Sequence, residues 1–182
     1  MKEETFRELV KSISQARRIH RMRPELVILV GNIGSGKSTL CKRYIKKGFV
    51  VISRDSLRYM IGAGEYIFDL KYEPAIHAAN LAILESFLAW GHNVVMDEVN
   101  VSRKLRSAYI SIARGMISHE YKITGIVLPR LSKEVSVQRR LQSPHGNFPR
   151  STWEQVWENF NRMYESPTKS EGFDKIIRLK RR

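Results

Sequence analysis

The chain of 182 residues has one cysteine, Cys41, so no disulfide can form within it. A small fold stapled by cross-links is excluded, and the usage fits a reducing compartment. No run of about 18 apolar residues occurs, which leaves no candidate membrane helix. The N-terminus, Met1-Lys2-Glu3-Glu4, opens no continuous apolar stretch of the secretory kind, and a cytoplasmic protein is the expectation. The histidines show no metal-ligand spacing, C-x-x-C is absent, and neither G-x-S-x-G nor a Cys–His arrangement supports a hydrolase. Acidic residues are scarce: 18 Asp and Glu stand against 32 Lys and Arg, a formal net charge of +14. That excess favours an anionic partner, of which nucleic acid is the commonest large one.

What is present reads as one globular domain with a basic extension. Apolar content of 42% and charged content of 27% are ordinary and support a substantial core. Residues 1–24 are predicted to form a helical extension. Phe6, Leu9, Val10 and Ile13 recur at helical spacing, a basic run follows from Arg17 to Arg23, and Pro24 ends it. From residue 25 to 182, strands and helices alternate. Strands are predicted at Leu26–Val30, Phe49–Ser53, Asn93–Asp97, Tyr121–Leu128 and Phe173–Leu179. Helices are predicted after Gly36, over Pro74–Trp90 with Gly91 as a stop, over Val101–Met116 capped by Ser102, over Ser132–Leu141, and from a Ser151 cap to Tyr164. Such an order implies an α/β fold: a parallel five-stranded sheet flanked by helices, with the site at the strand C-termini. A breaker-rich stretch within about 139–150 is the candidate lid.

Gly31-Asn32-Ile33-Gly34-Ser35-Gly36-Lys37-Ser38 fits G-x-x-x-x-G-K-[ST], the phosphate-binding P-loop, between an apolar strand and a helix that continues through Thr39. Its glycines let backbone N–H groups face inward, and the helix N-terminus adds partial positive charge. Lys37 can reach β- and γ-phosphates of ATP, and the Ser38 hydroxyl can bind magnesium. At the second strand end stands Ser53-Arg54-Asp55-Ser56-Leu57-Arg58. Asp55 is the candidate base for an attacking hydroxyl, and Arg58 can grip an anionic substrate in bidentate fashion; Arg54 and Asn100 are the further candidate substrate contacts. At the third strand end Asp97 and Glu98 are both candidates for the metal, and alternation points them to opposite sides. Arg139 or Arg140, ahead of the breaker-rich stretch, can close over ATP and neutralise the transferring phosphoryl group. Trp90, Trp153 and Trp157 read as core or helix-packing residues.

Together these pieces, with the tail Pro167-Thr168-Lys169-Ser170-Glu171-Gly172-Phe173-Asp174, make the chain resemble the P-loop polynucleotide 5′-hydroxyl kinases of the phage and bacterial end-healing type. The resemblance covers roughly residues 25–179 and implies an adenylate-kinase-like P-loop NTPase fold. It further implies transfer of the ATP γ-phosphate, with magnesium, to the 5′-hydroxyl of DNA or RNA. On that likeness Asp55 is the general base, Arg58 holds the neighbouring phosphate and Arg139 is a lid arginine. Val99 stands where the family often has threonine, and the stretch after Leu141 lacks a common second lid arginine. Two other functions compete: a small-molecule, nucleoside or tRNA-linked kinase on the same fold, and a nucleotide-dependent binding module in which Asp55 is dispensable.

Overall fold

Leu26 to Val30 are wholly withdrawn from solvent, and they form strand β1 (Glu25–Val30). A run of five apolar residues with no polar alternation can be buried on both faces only in a covered parallel sheet. The computed structural model describes residues 23–143 and 145–180; most of the expected extension, residues 1–22, lies outside the described residues. The remaining strands are β2 (Val50–Ile52), β3 (Val94–Met96), β4 (Lys122–Val127) and β5 (Lys175–Arg178). They form one five-stranded sheet in the order β2-β3-β1-β4-β5, with every pairing parallel. Among the described residues six helices connect or flank them: α1 (Lys37–Ile45), α2 (Arg54–Ile61), α3 (Glu73–Ala89), α4 (Arg103–Gly115), α5 (Lys133–Gln142) and α6 (Arg150–Arg162). A 3-10 turn at Lys169–Glu171 precedes β5.

The period of two along β1 divides the core. Leu26, Ile28 and Val30 face Leu84 and Leu88 of α3 and Tyr109, Ile110 and Ala113 of α4. Val27 and Leu29 face Cys41 of α1, which packs there as a small apolar residue. A third cluster, Ile33, Val137 and Trp153, packs α5 and α6 against the loop after β1. No helix among the described residues is long and apolar enough to cross a membrane.

Several expected boundaries moved. Trp90 is not core: it lies past the end of α3 and is 75% exposed. Ser151 does not cap α6. The cap is Pro149, one residue before the helix, and Phe148 meets Trp153 edge-on at 5.7 Å, a hydrophobic staple that sets the start earlier. Helix α2, absent from the elements expected from the sequence, begins directly after β2 because Ser53 accepts a hydrogen bond from the Asp55 N–H at 3.1 Å.

The polar keystone of the far side is Arg106 on α4, fully buried against Glu171 with contacts of 2.7 and 2.9 Å. Its other donors reach the backbone carbonyls of Asn100 and Glu165 at 2.9 and 3.1 Å. Burial pushes the Glu171 carboxyl up, but Arg106 and the Thr168 N–H outweigh it and hold it below the usual carboxylate range. The stabilisation is therefore complete above the unfolded-state value and disappears as pH falls through the folded one. Glu171→Ala strands a buried guanidinium, and an expected loss of about 3–5 kcal/mol is measurable by denaturant unfolding at neutral pH.

Candidate active site

The loop between β1 and α1 is shaped by two left-handed glycines, Gly34 at φ 66° and Gly36 at φ 97°. At Gly34 a Cβ would lie 2.5 Å from the Ser136 carbonyl oxygen, so the close approach of α5 admits no side chain there. Gly36 is the residue before α1, and its backbone turns the chain into the helix with N–H groups directed at the loop. Asn32 ties the loop to α6 by donating to the Trp157 carbonyl at 2.9 Å, and its own side-chain oxygen accepts from the Ile33 N–H at 2.7 Å. Lys37 curls back and donates to the carbonyls of Gly31 and Asn32 at 2.8 and 2.9 Å. Burial lowers the Lys37 ammonium to about 8, and Arg140 adds to the effect; Asp97, Glu98 and Asp55 pull the other way. Four charges from three segments, Asp55, Asp97 with Glu98, and Arg140, thus act on one ammonium. Ser38 and Thr39 follow on α1 and are exposed.

Asp55 stands in the first turn of α2, with its side chain one-third (33%) exposed. Its Oδ1 accepts from Arg58 Nη1 at 2.6 Å and from the Tyr66 hydroxyl at 2.8 Å. Its Oδ2 faces His145 Nε2 at 3.6 Å. Burial pushes this carboxyl up, but His145, the Tyr66 hydroxyl, Arg58 and Arg140 prevail and keep it below its ordinary value. It is a carboxylate at neutral pH, able to accept a proton.

The two acids after β3 part company, as alternation requires. Asp97 lies on the Lys37 side and faces the Cys41 thiol, whose titration is pushed far up by burial and then by that carboxylate. Glu98 turns to α2 instead. Its Oε1 accepts from the Arg54 N–H at 2.6 Å, and its Oε2 accepts from Arg54 Nε and Nη2 at 3.1 and 3.0 Å. Glu98 and Arg54, expected at the metal and at the substrate, thus engage each other in this structure. Asn100, expected as a further substrate contact, is bonded to the backbone. It is 2% exposed, sits at φ 50° and donates to the Leu29 carbonyl at 2.9 Å, so it fastens the end of β1. Arg58 is also drawn inward: Nε and Nη2 donate to Glu73 at 2.9 and 2.6 Å, and its side chain is 9% exposed. Neither candidate lid arginine is remote from the loop. Arg139 donates to the Gly34 carbonyl at 3.3 Å, while Arg140 lies over the Trp153 ring at 4.9 Å and acts on Lys37 and Asp55.

Sequence reasoning missed Tyr59, Tyr66, Glu73 and His145. His145 donates to or accepts from the Tyr59 hydroxyl at 3.0 Å and stacks on Tyr66 with centroids 5.3 Å apart. None of the four belongs to a motif of fixed spacing. The one available signal was an acid directly before a proline at a helix start, Glu73-Pro74.

The chain belongs to the AAA domain family, whose model matches residues 26–167. A protein of Acanthamoeba polyphaga mimivirus, named as a bifunctional polynucleotide phosphatase/kinase, is 27% identical over 154 residues, covering 84% of this chain and 32% of that protein. A chain in the Pnkp1/Rnl/Hen1 RNA repair complex is 26% identical with a TM-score of 0.61, covering 83% of this chain and 46% of that one. This chain therefore spans about a third of the viral relative and under half of the solved one. A Chloroflexus aurantiacus protein described as a kinase shares the fold, with a TM-score of 0.62 at 18% identity over 87% of this chain and 88% of that one. The architecture is that of the adenylate-kinase-like P-loop kinases.

The charge cluster carries its own test. Lys37 is expected to titrate near 8 when followed by NMR of the methylated or isotope-labelled ammonium. Asp97→Asn removes a neighbour that favours the charged form and is expected to move that midpoint lower still.

Proposed function

We propose that this chain transfers the γ-phosphoryl group of ATP to the 5′-hydroxyl end of a DNA or RNA strand. The observation that carries the reading is an anchored carboxylate, Asp55, on the strand-end rim within electrostatic reach of the loop lysine. A carboxylate with one oxygen anchored and the other facing His145 acts electrostatically on Lys37, the side chain suited to β- and γ-phosphates. The likeness to the viral polynucleotide phosphatase/kinase and to the RNA repair complex supports a nucleic acid acceptor, as does the net charge of +14.

Residues 31–39 cradle the triphosphate through backbone N–H groups, and Lys37 leaves its two loop carbonyls for phosphate oxygens. The donor set fits magnesium: the Ser38 hydroxyl is exposed, and the Asp97 carboxylate has a thiol, a weak donor, beside it. A magnesium ion held there supplies neutralisation of charge on the phosphate oxygens. Arg139 and Arg140 bring positive charge from the lid side of the loop. Asp55 Oδ2 takes the proton of the acceptor hydroxyl. The acceptor oxygen forms its bond to the γ-phosphorus, the bond from that phosphorus to the β–γ bridging oxygen breaks, and the electron pair leaves on ADP.

One observation favours a second reading, in which the acceptor is a small alcohol. The arginine expected to hold a substrate phosphate already has Glu73 in its fork.

Labelled ATP offered with 5′-hydroxyl oligonucleotides of DNA and RNA, single-stranded and duplex, decides the matter. Transfer is expected, and Asp55→Asn should lower its rate by about 10²–10⁴-fold while nucleotide affinity stays near that of the parent. Acceptor affinity should fall with rising salt. No label on any strand type would remove the proposal.

A further inference from the structure

Of the large apolar side chains exposed among the described residues, half lie in a single stretch, Met60 to Tyr72. They border a groove of about 420 Å³ between α2 and α3. Leu57, Met60 and Ile61 of α2 line it, with Ile67 and Tyr72 of the connecting segment and the first turns of α3. Met60 is 66% exposed. A cluster of this kind, unlike scattered single residues, marks an interaction surface. Beside the groove, Ala78 and Ala82 are exposed and give α3 a shallow outer face on which another helix can pack closely.

Charge singles out the same face. From Tyr59 to Ala89 the one Lys or Arg is Lys71, and it pairs with Asp69 at 3.0 Å. Glu65 is exposed at the upper end, and Glu85, seven residues on from Ala78, is exposed on the same side of α3. In a chain of net charge +14 this is an apolar, weakly acidic face. It suits an apolar stripe with bases at its ends and repels a phosphate backbone.

Residues 1–22, which lie outside the described residues, have that composition. Phe6, Leu9, Val10 and Ile13 recur at helical spacing. Lys2 stands four residues before Phe6 and Arg17 four after Ile13, so a helix would carry a base on that face at each end. The point of entry also fits. Arg23 donates to the carbonyls of Glu120 and Tyr121 at 3.3 and 3.2 Å, and the Tyr121 hydroxyl donates to the Leu88 carbonyl at 2.9 Å. The chain thus enters the fold beside the C-terminal end of α3. Ile76, in the groove, lies about 18 Å up that helix from Leu88 at 1.5 Å per residue. Residues 14–22 reach up to about 30 Å when extended, which covers the distance.

We propose that residues 6–13 of this chain seat their apolar stripe in the groove between α2 and α3. Arg17 then falls toward Glu85 and Lys2 toward Glu65 and Asp69, and the basic run lies along α3 instead of forming an arm for nucleic acid. Leu57, Met60 and Ile61 belong to the helix that carries Asp55, so the seated segment braces that helix from outside. The inference does not depend on the kinase reading.

The test is paramagnetic broadening in the full chain, whose own Cys41 is buried. A nitroxide on Ala78→Cys should broaden the amide NMR signals of residues 6–13. The same label on Lys46→Cys, at the end of α1 across the sheet, should leave them sharp. Adding Leu9→Asp to the Ala78→Cys chain should abolish the broadening while the signals of residues 23–180 keep their positions, which shows that the variant is folded. No broadening from Ala78→Cys, or equal broadening from both labels, overturns the inference. Broadening of isotope-labelled chains by separate nitroxide-bearing ones assigns the groove to a second copy and also overturns it. A 5′-hydroxyl oligonucleotide that shifts the signals of residues 17–21, while the Ala78→Cys label leaves residues 6–13 sharp, makes the extension a nucleic acid arm and overturns it as well.

Discussion

Because Leu26 to Val30 are sealed from water, the backbone groups of β1 can be satisfied only by strands on both sides. β3 and β4 supply them, both parallel to β1. Parallel neighbours cannot be joined by tight turns, so helices must carry the chain back across the faces of the sheet. Every strand then ends on the same rim. The glycine loop, the start of α2 and the acids after β3 meet for that reason, although residues 31, 55 and 97 are far apart in sequence. The site is a by-product of how one apolar strand must be buried.

Charge at this rim is arranged in paired layers rather than as an open field. Lys37 shares Asp97, Glu98 and Asp55 with the repulsion of Arg140. Arg54 takes Glu98, and Arg58 takes Asp55 and Glu73. Each pair is partly withdrawn from water, where an unpaired charge is costly and a hydrogen-bonded one is tolerated. Few side chains are left to meet a ligand. The basic excess of the chain must therefore act mainly from outside this rim, as a surface field that raises the local concentration of anions.

Much of the fold was legible because it is local. Five apolar runs bounded by breakers became the five strands, and the P-loop lies between a strand and a helix as its spacing requires. Elements that depend on tertiary contact were less visible. The start of α6 is set by Phe148 on Trp153, and no propensity reports that contact. Trp90 looked like core because tryptophan usually is, yet Gly91 turns the chain while Tyr121 takes the buried place beside Leu88 and His92. At the site, Lys37 and Asp55 could be named from motif and strand end alone, and Asp97 only as one of two candidates with Glu98. The partners that decide their chemistry could not. Glu73 meets Arg58 across 15 residues and His145 meets Tyr59 across 86, separations that carry no periodic signature.

The Glu98–Arg54 contact shows how such a partner changes the meaning of a motif. An acid after the third strand invites a metal role, and two adjacent acids invite it twice. Here the second acid binds the first residue of α2 through both its backbone N–H and its guanidinium. A carboxylate at a helix N-terminus satisfies an orphan donor and opposes the helix dipole. Glu98 thereby welds the end of β3 to the helix that carries Asp55. The backbone agrees, since the Asp97 N–H donates to the Ile52 carbonyl at 2.9 Å and continues the β2–β3 ladder up to the same point. Asp55 is thus held to the β3 end by two linked contacts, and Asp97 projects from that end toward Lys37. The candidate base and the candidate metal carboxylate are in consequence parts of one rigid corner. Their spacing is set by sheet geometry and not by the mobility of a loop.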